Sequence, residues 1–177
     1  MMPVMTAPEI SEDDGLVRAA AAGDRAAFGE LYVRYARLVH GILLARVPPG
    51  EADDLVQDVF LSAMRQLRGL RTVAAFRGWL AAIARNRATD YFRQTRTCMP
   101  IEENSPAKAG GLEALEVLDV IRQLPEAYRE TMILRLVEGM TGPEIALETG
   151  LTADSVRVNL CRGMKMLRGL LGGVDAK

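Results

Sequence analysis

Apolar residues recur at three- and four-residue spacing through most of this chain. No stretch alternates apolar and polar positions over strand length, so the pattern predicts an all-α protein. Residues 12–47 read as two helices. Leu16, Val17 and Ala20 form the inner face of the first, and Gly23-Asp24 breaks it. Asp24 then suits the N-cap of the second. That helix carries a long inner stripe of Phe28, Leu31, Tyr32, Tyr35, Leu38, Val39 and Ile42, with His40 beside it as a packed or exposed side chain. Val47-Pro48-Pro49-Gly50 makes a turn, because proline ends a helix. Residues 52–67 form a third helix with two faces. Val56, Val59, Phe60, Ala63 and Leu67 make its buried stripe, and Asp54, Gln57, Asp58 and Leu61 lie on another side.

A short basic connector, 66–75, leads to a helix over 76–95. Its stripe of Phe76, Trp79, Leu80, Ile83, Arg87 and Tyr91 is expected to be mostly core, Trp79 included. Arg77, Arg85, Asn86 and Arg93 fall on the opposite side. Residues 97–111 hold two prolines, a Gly-Gly pair and small polar residues, the composition of a linker. Four further helices fill 112–171. Pro125 ends the first of these and opens the second, which closes at Gly139. Thr141 and Glu144 have the spacing of a capping box, and Thr152 can cap the last helix. The pattern therefore divides into a disordered N-terminus (1–11), a helical domain (12–96), a linker (97–111), a second helical domain (112–172) and a tail (173–177), with one small core in each domain.

Charge adds what periodicity cannot. The formal net charge is only −1, yet it is strongly segregated. Residues 61–100 hold eight arginines against Asp90 alone, and 151–177 hold five basic residues against two acids. The acids gather in 9–58 and 102–148. Two basic patches on a near-neutral chain suggest two places that meet a polyanion. Cys98 and Cys161 stand far apart, and His40 is the one histidine, so no zinc cluster is expected. The N-terminus has no basic segment followed by an apolar core, and no apolar run has the length of a membrane span. A cytoplasmic protein without membrane insertion, metal or other cofactor is expected.

Three features carry candidate chemistry. The acids Glu51, Asp53, Asp54 and Asp58 at the start of the third helix either compensate its dipole as a solvated face or bind a basic partner. Asp53, Asp54 and Asp58 could also ligate a cation for nucleic-acid hydrolysis, although no further His or Glu cluster supports that. The arginines and Asn86 of the fourth helix, near Trp, Phe and Tyr, suit phosphate contact and base stacking on a single strand. A solvated arginine face with buried aromatics fits the same pattern. Finally Ile145, Ala146, Gly150, Leu151 and Val156 fit a helix-turn-helix, in which Gly150 permits the left-handed turn and Leu151 and Val156 lock the second helix on the first. Its exposed positions, which would face a major groove, are Ala153, Asp154, Arg157, Val158, Cys161 and Arg162. Gly163 lies inside this helix, where glycine costs about 1 kcal/mol. An autonomous helix-turn-helix regulator would use 112–171 but would leave the acidic and arginine-rich helices idle.

Four stretches in order resemble the extracytoplasmic-function class of bacterial RNA polymerase sigma factors. LVRAAAAGDRAAFGELYVRYARLV is similar to that family's first conserved region and DDLVQDVFLSAM to its polymerase-binding motif. AFRGWLAAIARNRATDYFRQ resembles its minus-10 region, and LPEAYRETMILRLVEGMTGPEIALETGLTADSVRVNLCRGMKMLR its minus-35 region. The resemblance implies a non-catalytic protein, with no catalytic residue. It would bring core RNA polymerase to promoter DNA and aid strand opening. It implies polymerase contacts on the β′ clamp coiled coil and the β flap, with Asp54, Gln57, Asp58 and Leu61 docking on the clamp. Arg71, Arg77, Arg85, Asn86 and Arg93 would meet the minus-10 strand, and the connector would hold an unpaired base. Thr152, Ala153, Asp154, Arg157, Val158, Cys161, Arg162 and Lys165 would meet the minus-35 duplex. Control by an anti-sigma factor is implied as well, and no sensory domain is expected beyond Lys177.

Overall fold

A computed structural model describes residues 12–98 and 112–172. The N-terminus over 1–11, most of the predicted linker and the tail over 173–177 lie outside the described residues. Among the described residues the regular structure is helical: α1 (Glu12–Ala21), α2 (Arg25–Leu44), α3 (Pro49–Gln66), α4 (Phe76–Cys98), α5 (Leu112–Arg122), α6 (Glu126–Leu136), α7 (Gly142–Thr149) and α8 (Ala153–Gly172). Two short 3-10 turns, Leu67–Gly69 and Val73–Ala75, form the connector between α3 and α4.

Local chemistry explains where these helices begin. The Asp24 carboxylate accepts from the backbone N–H groups of Ala26 and Ala27 at 2.8 and 3.1 Å, satisfying two donors that the first turn of α2 leaves open. Pro49 stands in the first turn of α3, where a missing N–H costs nothing. Thr141 and Glu144 form a reciprocal capping box on α7, and Gly150 ends that helix at φ 74°. The Thr152 hydroxyl accepts from the Ser155 N–H at 3.1 Å at the start of α8.

α1–α4 pack around the predicted stripes of α2 and α3. Leu31, Tyr35, Leu38, Val39 and Ile42 of α2 are buried against Val56, Val59, Phe60 and Ala63 of α3. Four expectations change. Tyr32 lies on the surface, with its ring 4.6 Å from that of Phe60. On α4 the buried line is Phe76, Leu80, Ala81, Ala84 and Ala88, while Trp79, Ile83, Arg87 and Tyr91 flank it half-buried. The large residues dominated the periodicity, but small alanines are what let three helices approach closely. α6 stops at Leu136, before Gly139, which takes φ 66° in the following turn. α4 runs on to Cys98, through the first positions read as linker.

The helix-turn-helix is anchored by Ile145 and Val156, both buried, whereas Leu151 is exposed and does not lock it. Gly163 explains itself here. It is buried, and a Cβ at this position would sit 2.7 Å from Cγ of Met132 on α6. The glycine trades helix propensity for close approach of α8 to α6.

The expected pair of separate cores is instead one apolar cluster that runs from Val17 to Leu167. α6 packs on α2, and α7 packs on α4. Gly41 on α2 lets α6 come in: a Cβ there would lie 2.5 Å from Cδ2 of Leu134. The end of α2 has no basic residue of its own in its last turn. Arg46, just beyond it, donates to the Ile42 carbonyl at 3.3 Å, and the carbonyls that follow are met from the second helix group. Arg122 donates to the carbonyls of Leu44 and Val47, and Arg129 donates to that of Ala45 at 3.2 Å.

Candidate protein-docking and nucleic-acid interfaces

The acidic helix α3 presents Asp54, Gln57 and Leu61 to solvent, as its spacing predicts. Asp58 is only partly free, because Arg87 of α4 donates a hydrogen bond to its carboxylate. Beside this face is an apolar groove of about 270 Å³ lined by Phe28, Tyr32, Gln57, Phe60, Leu61 and Met64. Leu61 and Met64 are each nearly half exposed. The periodicity places Tyr32 in the inner stripe of α2, since an apolar side chain at helical spacing is normally assigned to the core, and it gives Met64 no role. The face therefore combines carboxylates with an apolar ledge, a surface suited to a basic, amphipathic protein element.

The α4 face is more constrained than the sequence suggests. Arg71 and Asn86 are exposed. Arg93 donates to Asp90 at 3.3 Å. Arg77 is drawn into a network: it donates to Asp13 at 3.1 Å and to the Tyr35 hydroxyl at 3.3 Å, with its guanidinium 5.7 Å from the Tyr35 ring centre. Tyr35 and Arg34 also donate to Asp13, at 2.6 and 2.7 Å. Burial would raise the Asp13 carboxyl, but these hydrogen bonds and the two guanidinium charges outweigh it and hold the carboxyl below its ordinary value. Burial and the bond to Asp13 push the Tyr35 hydroxyl up, so it stays a donor.

The remaining contacts of this face come from the second helix group. Arg77 donates to the Leu147 carbonyl at 3.4 Å, and its Nε lies 3.4 Å from Glu148 Oε2. That oxygen is buried with no hydrogen bond, so the contact is an ion pair without good bonding geometry. Burial pushes the Glu148 carboxyl up, and the Arg77 charge opposes this. Arg85 donates to Glu130 at 2.7 Å through Nη2. Arg46 donates to the other Glu130 oxygen at 2.8 Å and to Glu126 at 3.1 Å. His40 is 2.6 Å from Glu138 through Nδ1 and 3.6 Å from Asp53 through Nε2. The hydrogen bond with Glu138 raises the imidazole above its ordinary value, against the effect of burial. Glu130 and Glu148 escaped the sequence reading, although the gathering of acids before residue 148 was a visible sign of them.

On α8, Thr152, Ala153, Asp154, Arg157, Val158, Cys161, Arg162 and Lys165 are all exposed, along one edge of the helix. Arg157 sits 3.3 Å from Asp154. Cys161 is a free thiol. The structure thus brings the α3 and α4 residues together across the Asp58–Arg87 pair. It leaves the α8 edge open, and it covers Arg77 and Arg85 with the second helix group. Among the described residues no three His, Cys, Asp or Glu side chains converge as a metal site would need, and no helix is long and apolar enough to cross a membrane.

Comparison with known proteins matches residues 31–97 to the family model for sigma-70 region 2 and residues 114–167 to that for sigma-70 region 4. The RNA polymerase sigma factor NccH of Alcaligenes xylosoxydans xylosoxydans is 34% identical, over 94% of this chain and 97% of that protein. The extracytoplasmic-function sigma-E factor of Escherichia coli K12 is 30% identical, over 88% of this chain and 92% of its own length. The solved structure of CnrH in complex with the cytosolic domain of CnrY superposes with a TM-score of 0.64 at 29% identity, covering 91% of this chain and 97% of that one. Both region models are matched in chain order and the relatives align along nearly the whole length, so this protein belongs to the extracytoplasmic-function class of the sigma-70 family of RNA polymerase sigma factors.

Proposed function

We propose that this sigma factor docks on core RNA polymerase through the α3 face, takes the unpaired minus-10 strand on α4 and its connector, and reads the minus-35 duplex with α8. Asp54, Gln57, Asp58 and Leu61 meet the β′ clamp coiled coil, and the second helix group meets the β flap. Arg71, Arg77, Arg85, Asn86 and Arg93 hold the phosphates of the non-template strand, with aromatic side chains available for stacking. Thr152, Ala153, Asp154, Arg157, Val158, Cys161, Arg162 and Lys165 lie along the major groove, where arginine can pair with guanine or phosphate. The protein performs no catalysis of its own and works in the cytoplasm beside the polymerase. A second protein, an anti-sigma factor, holds it inactive, in keeping with CnrH being solved with the cytosolic domain of CnrY bound.

The observation that carries this reading is the adjacency of α3 and α4. An exposed acidic face and an arginine face stand on neighbouring helices joined by Asp58 and Arg87. One binds protein and the other DNA, and the pair couples them. The test is reconstitution of the chain with core RNA polymerase and promoter DNA. Promoter-directed transcription is expected, and Asp54→Ala with Asp58→Ala removes core binding while the helical circular dichroism is unchanged. Tight, specific duplex binding without polymerase would overturn the reading, as would unchanged core affinity in the double variant.

A further inference from the structure

We propose that Asp154 is a specificity-determining residue of α8: it orients Arg157 for a guanine and itself accepts from the amino group of a cytosine one base pair away. This rests on the reading of α8 as the helix that enters the major groove of the minus-35 duplex.

Asp154 is the one acid on α8, against Arg157, Arg162, Lys165 and Arg168. A carboxylate facing a polyanion weakens binding unless it finds a partner there. An acid in a first turn has two local roles, capping and compensation of the helix dipole. Capping is already done, because the Thr152 hydroxyl accepts from the Ser155 N–H at 3.1 Å and donates to the Ser155 hydroxyl at 2.8 Å. Dipole compensation needs no partner, whereas this carboxylate has one. Its Oδ1 lies 3.3 Å from Nη2 of Arg157, three residues on along the same edge. The two side chains are 88% and 81% exposed, so the rest of the chain leaves the pair open to a ligand. In water such a pair adds little to folding, and its effect is on orientation.

On duplex DNA the pair gains a second effect. A guanidinium carries five N–H donors in a rigid planar fork. With Nη2 of Arg157 facing Asp154, the donors that remain suit O6 and N7 of guanine, the commonest specific contact of arginine in the major groove. Fixing the fork beforehand lowers the side-chain freedom lost on binding. Residues three apart on a helix are about 4.5 Å apart along its axis, close to one base-pair step of about 3.4 Å. Asp154 therefore stands over the base pair next to the guanine. Once water is displaced, its second oxygen needs a donor. The cytosine amino group supplies one. Thymine O4 and guanine O6 and N7 are acceptors, which a carboxylate repels. Discrimination at this step comes from repulsion as well as attraction.

The test uses the full chain reconstituted with core RNA polymerase. Promoter duplexes randomised over the minus-35 element are incubated with it, and the bound fraction is sequenced. The unmodified holoenzyme is expected to prefer guanine at one position and cytosine beside it, each about tenfold over the disfavoured bases. Arg157→Ala removes the guanine preference. Asp154→Ala removes the cytosine preference and lowers that for guanine. It also steepens the slope of log affinity against log salt by about one, because Arg157 is released to a phosphate. Asp154→Asn keeps the shape and moves the preference beside the guanine from cytosine to adenine, whose N6 and N7 pair with an amide. Asp154 is exposed and Thr152 caps the helix, so both Asp154 variants are expected to keep the helical circular dichroism. A base profile unchanged by Asp154→Ala reduces the carboxylate to dipole compensation and overturns the proposal, as does cytosine retained by Asp154→Asn. A profile flat over the whole minus-35 element, in a holoenzyme that still initiates at the promoter, is instead the failure of the α8 reading and takes the proposal with it.

Discussion

Arg87 of α4 donates a hydrogen bond to Asp58 of α3, so the helix proposed to dock on the polymerase is tied to the helix proposed to meet DNA. Both side chains are about two-fifths exposed (35% and 43%), which limits the contribution of the pair to folding to less than about 1 kcal/mol. Its larger consequence is competition. Arg87 already partly satisfies a carboxylate that a basic surface on the polymerase would use. Arg87→Gln is therefore expected to leave the thermal midpoint nearly unchanged and to strengthen core binding about threefold at low ionic strength, with the gain vanishing at high salt. Titration of labelled core polymerase at two salt concentrations checks this. Weaker binding would mean that Arg87 serves to orient Asp58 and not to compete for it.

Gly163 gives a prediction opposite to helix propensity. Replacing it with alanine should help an isolated helix by about 1 kcal/mol, yet the new Cβ would meet Met132 at 2.7 and 2.8 Å in a fully buried position. Methionine can yield a little, but Gly163→Val is expected to lose about 1–3 kcal/mol of stability through overpacking. Denaturant unfolding of Gly163→Val, Met132→Ala and the double variant measures it. The clash account requires the double variant to cost less than the sum of the two.

His40 links the α2–α6 contact to pH. It is the one histidine in the chain, so its imidazole signal is unambiguous by NMR. It faces Glu138 from α6 and Asp53 from α3. Its hydrogen bond with Glu138 raises its pKa in the folded protein. A raised histidine adds stability that is complete below the unfolded value and disappears as pH climbs through the folded one. The contact between the helix groups should thus loosen as pH rises above the ordinary imidazole range. The NMR titration should show the raised midpoint, and His40→Gln should flatten the pH dependence of the thermal midpoint over that range.

Thr141 holds the short helix α7 at its start. Its hydroxyl accepts from the Glu144 N–H at 3.4 Å, and its own N–H donates to the Glu144 carboxylate at 2.6 Å. Thr141→Ala is expected to cost about 1 kcal/mol in thermal unfolding. It should also weaken duplex binding by α8, which α7 supports through Ile145 and Val156. Thr141→Ser, which keeps the hydroxyl, should recover most of both losses.

Much of this protein is determined within a few residues at a time, and there the sequence by itself is enough. The start of α2 follows from Asp24, that of α7 from Thr141 and Glu144, and the turn before α8 from Gly150, because each acts on its own backbone. The buried stripe of α3 and its exposed acids follow from helical spacing alone. What the tertiary structure decided involves partners far apart in the chain. Arg85 meets Glu130 across 45 residues, and Arg46 meets it across 84. No local period encodes such pairs, so two of the arginines read as free for DNA, Arg77 and Arg85, are met by carboxylates from distant parts of the chain. The same reason hid the roles of Gly41 and Gly163, whose lack of a side chain matters only because Leu134 and Met132 arrive from other helices. Size misled the reading of α4, where the large residues set the visible stripe while Ala81, Ala84 and Ala88 fill the contact. Helix periods and caps depend on neighbours in sequence. Closure, close approach and charge pairing depend on neighbours in space, which only the packed helices supply.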